Sequence, residues 1–309
     1  MRYQVRHSTT YRSPNPVTIG YHQAHLAPRD TPGQRVVWHN LEISPTPHDR
    51  ADHIDLYGNR FAYFSVEEPH EFFDVTATSE IEILKRRPLT NPIPSWEQAR
   101  DLAEADPLVG DFVLPSRLVG IDAAAAEYGA KSFAPGRPLL ECLTDLNHRI
   151  FLDFIYRPGW TTISTPISEV LATRSGVCQD FAHLAIACAR SVGLAGRYVS
   201  GYIENIPAPG QTAMVGGDAS HAWASVRDAD GMWIDLDPTN GLIEPVSHIT
   251  VAWGRDYSDV VPLKGVVTSV GGPTDMQVEV EVRRHRTATE RRPRNSSQPD
   301  DDLAANRQV

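Results

Sequence analysis

Three residues in this chain can act together as an activated nucleophile: Cys178, His221 and Asp237. Cys178 follows Gly176-Val177 and opens a run to Gly193 in which Phe181, Leu184, Ala185, Cys188 and Val192 fall on one helical face. The spacing therefore predicts a helix that begins at about Cys178. The partial positive charge at a helix start stabilises a thiolate, the form of cysteine that attacks carbon. Ser220-His-Ala-Trp-Ala-Ser-Val-Arg227 and Met232-Trp-Ile-Asp-Leu-Asp237 read as two strands joined by the turn Asp228-Ala-Asp-Gly231. A three-residue loop centred on Ala229 pairs Arg227 with Gly231 and sets His221 directly opposite Asp237. A carboxylate there can orient an imidazole, and the imidazole can serve a thiol as base.

Each residue alone has a plainer reading. Cys178 could be structural, His221 a strand-end histidine bonded to backbone, and Asp237 part of the loop sequence Asp-Pro-Thr-Asn-Gly241. Together they supply nucleophile, base and orienter. Asp235 lies on the same face as Asp237, out of line with His221 in this register. His183, five residues after Cys178, falls on another side of the helix and is assigned to packing. Cys142 and Cys188 sit beside or within apolar faces and read as buried hydrophobes. Tyr156 and Trp160, in Tyr-Arg-Pro-Gly-Trp, precede the nucleophile and could line a substrate cleft. A zinc site from Cys178, His183, His221 and Asp237 lacks the Cys-x-x-Cys or His-x-x-x-His spacing of such sites. No metal is expected.

Gly176-Val-Cys-Gln-Asp-Phe-Ala-His-Leu184 resembles the nucleophile motif of the transglutaminase-like superfamily. His221-Ala-Trp223 and Trp233-Ile-Asp-Leu-Asp-Pro-Thr-Asn240 resemble its distal motifs, in the same Cys, His, Asp order. Residues 1 to about 85, including Asp55-Leu-Tyr-Gly-Asn59, look like the β-rich N-terminal domain that accompanies the bacterial core. Gly254 to Pro262 and the final strand resemble its C-terminal end. The resemblance implies an α+β fold: a papain-like core, with the cysteine helix packed on an antiparallel sheet, preceded by a small β-sandwich. It also implies acyl transfer from a peptide or protein amide through a thioester, by a protease, amidase or transglutaminase, without a cofactor. The backbone N–H of Cys178 would serve the oxyanion. Two rivals are another Cys-His-Asp acyltransferase, of the arylamine N-acetyltransferase kind, and a non-catalytic binding scaffold on the same fold.

The elements that must position these residues are legible in outline. Alternation in Tyr3–His7, Arg35–Ile43, Arg60–Val66 and Phe73–Ile83 predicts strands, so residues 1–87 form a β-domain. Pro88, Pro92 and Pro94 mark a linker over 88–94. Beyond it the period changes to that of helices: Ser95 and Gln98 have capping-box spacing, and Leu139, Leu143, Leu146 and Ile150 form a stripe. Thr165-Pro166 opens a short helix that Gly176 is expected to end. Met276–Arg283 alternates as a last strand, assigned with the catalytic part over 95–283. Residues 284–309 have few apolar side chains and are expected to be disordered.

The formal net charge of −10 argues against a nucleic-acid partner. The first residues show no secretory signal, and the apolar stretch near Phe181 is too short for a membrane span. Three cysteines are too few and odd in number for a disulfide framework, which fits the cytoplasm as the expected location.

Overall fold

The computed structural model describes residues 1–84, 94–107, 109–204 and 220–285. The chain runs β1 (Arg2–Ala24), β2 (Gln34–Ser44), β3 (Asp49–Ile54), β4 (Arg60–Val66), β5 (His70–Ile83), α1 (Trp96–Ala105), α2 (Ala123–Ala130), α3 (Leu139–Asp153), β6 (Ile155–Tyr156) and α4 (Ile167–Thr173). It continues as β7 (Ser175–Gly176), α5 (Cys178–Ser191), β8 (Gly196–Tyr202), β9 (His221–Arg227), β10 (Trp233–Asp237), β11 (Leu242–Ile243), β12 (Ile249–Gly254), β13 (Leu263–Ser269) and β14 (Asp275–Arg284). The expected linker lies almost wholly outside the described residues, as does nearly all of the tail from 284.

The N-terminal β-domain is organised by one long strand. The first half of β1 lies between β5 and β14, and its second half between β4 and β13, every pairing antiparallel. The register breaks between Arg12 and Val17, around Pro14 and Pro16, because proline cannot donate to a ladder. The two halves of β1 therefore face different cores. Tyr3 and Val5, with Ile81, Ile83, Val280 and Val282, join the core built on the helices. Beyond the break Ala24, with Leu26, Phe64, Phe73 and Val75, fills a separate core. This corrects the expected division at 95–283, since β13 and β14 complete the N-terminal sheet. A strictly alternating strand says which face is buried but not which sheet receives it.

The second unit is a five-stranded antiparallel sheet, ordered β11-β10-β9-β8-β12, with α5 lying on β8 and β9. Ala222, Ala224 and Val226 of β9 and Ile234 and Leu236 of β10 pack with Phe181, Leu184 and Ala185 of α5. Period two then sends His221, Trp223, Asp235 and Asp237 to the alternate positions. The α3 stripe of Leu139, Leu143, Leu146 and Ile150 is buried, and Ser95 and Gln98 cap α1 reciprocally as expected. Gly176 does not end α4. Arg174, in the left-handed region at φ 51°, ends it, and Ser175-Gly176 then pairs in parallel with Ile155-Tyr156.

The outer edge of β12 is covered by two side-chain amides of the N-terminal domain. Gln34 accepts from Thr250 N at 2.9 Å and donates to Thr250 O at 2.8 Å. Asn59 does the same at Trp253, at 2.9 and 2.7 Å. Each amide copies a strand neighbour and blocks the edge against other pairing. Asn59 is itself held by the Asp55-Leu-Tyr-Gly-Asn59 turn, whose Asp55 accepts from Tyr57 N, Asn59 N and Asn59 Nδ2. Arg29 donates to Asn59 Oδ1 and stacks over the Trp253 ring. The motif is thus a clamp between domains.

Replacing Asn59 by alanine strands the N–H and C=O of Trp253 together. Asn59→Ala should lower the unfolding free energy by about 1–3 kcal/mol, measured by urea titration. A change below about 0.5 kcal/mol, the range of an inert surface substitution, would show the clamp to be dispensable.

Candidate active site

Cys178 begins α5. The first turn of that helix is tied down by Asp180, whose Oδ2 accepts from Val177 N at 2.8 Å and from Thr161 Oγ1 at 2.6 Å. A Cβ at Gly176 would lie 2.8 Å from that Oδ2 and 2.9 Å from the Asp180 Cβ. Glycine is needed there so that Asp180 can fold back over the helix start. The residues around Cys178 are therefore a helix-start device: a glycine for room, an aspartate for the cap and a cysteine on the first turn. The N–H groups of that turn have no partner within the helix, and the helix dipole points at the same spot.

His221 meets Asp237 on one hand and Cys178 on the other. His221 Nε2 donates to Asp237 Oδ2 at 2.9 Å, and both residues are buried. A carboxylate only accepts, so the neutral ring carries its proton on Nε2 and leaves a lone pair on Nδ1. That buried Nδ1 makes no full hydrogen bond, and Cys178 lies close enough for its charge to act on the ring. Burial opposes charge on His221, but Asp237, then Cys178, raise its pKa above the ordinary histidine value. Burial likewise opposes charge on Asp237, and His221 and His248 together hold its carboxyl far below the usual carboxylate range.

The signs of these shifts define where the pair is stable. The contribution of His221 is complete below its unfolded value of about 6.5 and lost as pH rises through the raised folded value. That of Asp237 is complete above about 3.9 and lost as pH falls through its depressed value. The ion pair is intact between the two.

The hairpin that brings them together has a different register from the expected one. Asp228 N donates to Met232 O, and Arg227 pairs with Trp233, so the loop centre is Asp230. The reason is Asp228: its Oδ1 accepts from Asp230 N and Met232 N, building the turn one residue later, with Gly231 at φ 80°. The partner of each β9 residue moves by two, an even number, so Asp237 keeps its face and reaches His221 on the diagonal. Asp235 stands opposite Ser225, further from His221 along the strand.

Both readings of Asp237 hold, one for each oxygen. Oδ1 accepts from Thr239 N and Asn240 N at 3.0 and 3.2 Å, making the turn that follows. Oδ2 accepts from His221, from Asn240 Nδ2 at 2.8 Å and from His248 Nε2 at 2.8 Å. His248, immediately before β12, escaped the sequence reading because no local motif links it to Asp237. Its only signal was a lone histidine at the start of an apolar strand. Trp223 packs beside both imidazoles, with centroids 6.1 Å from His221 and 5.0 Å from His248. Gly201 makes room for it, since a Cβ there would lie 2.5 Å from the Trp223 ring.

The remaining expected residues are placed as follows. His183 is buried, accepts from Tyr257 N at 3.2 Å and lies against Tyr198, with burial pushing its pKa down to about 4. It packs. Tyr156 pairs with Gly176, two residues before Cys178. Trp160 is 54% exposed under the Arg157 guanidinium, on a loop bound to α5 through Thr161–Asp180 and Gln179–Ile163. Tyr198 and Tyr257 were not singled out, yet burial raises both hydroxyl pKa values, helped next by Cys178 at Tyr198 and by Tyr11 and then Cys178 at Tyr257. Among the described residues His221, Asp237 and His248 form one buried group of possible metal ligands. Their separations of 2.8–2.9 Å are those of shared protons, closer than ligands each about 2.0–2.1 Å from a tetrahedral zinc would stand.

Comparison with known proteins gives a consistent picture. Residues 3–82 match the model of the bacterial transglutaminase-like N-terminal region, and residues 130–238 that of the transglutaminase-like superfamily. An uncharacterized protein of Mycobacterium tuberculosis is 45% identical over 91% of this chain and 92% of its own. An uncharacterized protein of Mycobacterium leprae is 33% identical over 92% of this chain and 99% of its own. The crystal structure of a candidate cysteine protease from Cytophaga hutchinsonii matches with TM-score 0.71 at 21% identity, over 93% of this chain and 92% of that one. At that identity the likeness is one of fold.

The three thiols should differ sharply in reactivity. Burial pushes the Cys142 thiol up to about 11 and Cys188 up to about 12, whereas Cys178 is partly exposed at a helix start. Iodoacetamide at neutral pH, followed by peptide mapping, should mark Cys178 first. Preferential labelling of Cys142 or Cys188 would overturn the assignment.

Proposed function

The chain belongs to the transglutaminase-like superfamily, and from that premise we propose that it is a cysteine-dependent acyl-transfer enzyme acting on peptide or amide bonds through a thioester. The observation that carries this reading is the His221 ring, held by Asp237 through Nε2, with Nδ1 left over and Cys178 close to the ring. In this reading Cys178 gives its proton to His221 Nδ1 and its sulfur attacks the carbonyl carbon. The helix-start N–H of Cys178 takes the oxyanion. Collapse of the tetrahedral intermediate breaks the C–N bond, and His221 returns the proton to the departing amine. Water or a second amine, deprotonated by the same Nδ1, then attacks the thioester carbon and releases Cys178. Asp237 stays ionised throughout and fixes tautomer and orientation. Tyr156 and the Arg157–Trp160 loop, beside the helix start, supply a wall for the acyl chain.

A hydrolysis assay on a peptide panel, run beside incorporation of a labelled primary amine, tests the proposal and separates the two acceptors. Cys178→Ala should abolish both signals. Activity of that variant equal to wild type would sink the reading. On the alkaline side activity should persist well above the ordinary histidine range and fall as His221 loses the proton that the amine needs.

Asp237→Asn should reduce turnover by as much as about 10⁴-fold, as loss of a triad carboxylate can. Because Asp237 accepts five hydrogen bonds, an amide nitrogen there must face a donor. The variant should also lose about 1–3 kcal/mol of stability. Asp235→Asn should cost far less turnover; the reverse order would move the orienting role to Asp235.

A further inference from the structure

We propose that His248 is a positioning residue for this site, a neutral N–H donor that shares one oxygen of Asp237 with His221 and so sets the geometry and basicity of the base. The inference rests on the acyl-transfer reading above. It starts from Oδ2 of Asp237, which receives His248 Nε2 at 2.8 Å and His221 Nε2 at 2.9 Å. Both contacts require an N–H, since the carboxylate offers only lone pairs. The two rings meet edge to face, with centroids 5.6 Å apart, and all three side chains are buried.

One carboxylate cannot balance two imidazolium ions in a buried pocket, so only one ring can be charged at a time. The surroundings decide which. His221 has Cys178 on its other side and gains from becoming cationic when the thiolate forms. The groups that act on His248 are Asp237, His221 and Asp235. Burial first, and the neighbouring charge of His221, lower its pKa against the pull of the two carboxylates, so it stays the neutral partner. A neutral donor on Oδ2 withdraws part of the carboxylate's basicity without adding charge. His221 therefore meets a weaker base than an unshared carboxylate would be, and releases its proton to the leaving amine more readily.

The placement of His248 is built into the fold. Two residues later Thr250 is bound through both N and O to Gln34 of the N-terminal domain. The His248 ring stands edge-on to Trp223, which itself lies beside His221. The β-domain thus reaches the catalytic carboxylate through one backbone clamp and one imidazole.

The test compares His248→Leu, which removes the donor, with His248→Gln, which retains an N–H. Each is measured by kcat, KM and pH profile after thermal melting shows that it is folded. His248→Leu should lower kcat about tenfold, the worth of one hydrogen bond to a charged group, with little change in KM. It should also shift the alkaline limb of kcat/KM up by about half a pH unit to one unit, as the unshared carboxylate holds the His221 proton more tightly. His248→Gln should stay within about threefold of wild type, with the limb near its wild-type position. Equal losses in both variants with unshifted limbs would reduce His248 to a structural role and overturn the proposal. So would a wild-type profile in His248→Leu.

Two measurements do not depend on turnover. The pH dependence of Cys178 alkylation reads the thiol–imidazole pair directly, so it tests His248 even if wild-type protein transfers no acyl group. That last result would instead sink the acyl-transfer reading. Nitrogen-15 NMR of the wild-type imidazoles covers the case in which His248→Leu does not fold. His248 should remain the neutral Nε2–H tautomer while His221 titrates. A cationic His248 at neutral pH, or an Nδ1–H tautomer, would overturn the proposal.

Discussion

A single buried carboxylate holds this structure's chemistry together. Asp237 has no exposed surface, and its charge survives burial because five donors converge on its two oxygens. An unpaired carboxylate in that position would be neutralised instead. Each donor comes with its own piece of the fold: the turn at Thr239 and Asn240, the start of β9 through His221, and the approach to β12 through His248. Once the carboxylate is charged and fixed, the tautomer of His221 follows, and with it the lone pair left on Nδ1. The order of causation runs from the carboxylate to the imidazole.

That dependence explains why the N-terminal domain is more than an attachment. β12 is the edge of the five-stranded sheet, and edges drift unless something satisfies their outward groups. Gln34 and Asn59 do so with paired side-chain hydrogen bonds, and the first half of β1 shares its apolar face with the core behind α5. β13 and β14 return to flank β1, so the chain closes the β-domain only after the five-stranded sheet is complete. The two units are interlocked by topology as well as by contact.

Close approach is the other recurring constraint. Gly176 leaves space for Asp180 to cap the helix that carries Cys178, and Gly201 leaves space for Trp223 beside the two imidazoles. A methyl group at either position would meet atoms that the site needs where they are. At these two positions the value of glycine lies in its missing side chain, because each allows a neighbour to lie closer than a Cβ permits.

Much of this protein was legible in its residues alone, because local rules govern what they govern completely. Periods of two and 3.6 placed most of the strands and helices, the Ser95–Gln98 cap followed from spacing, and Cys178 was assigned to a helix start. His221 and Asp237 were brought to one face by alternation, which survived a loop centred one residue away from expectation. Side-chain alternation tolerates an even shift in pairing. The exact partner is not a local property: the Asp228 side chain chose the turn, and only the folded hairpin shows that Asp237 meets His221 on the diagonal. The tertiary structure alone decided that β13 and β14 belong to the first sheet, that Arg174 rather than Gly176 ends α4, and that His248 joins Asp237. Those are long-range facts, set by which surfaces are buried against each other, and no periodicity within a segment records its distant partner.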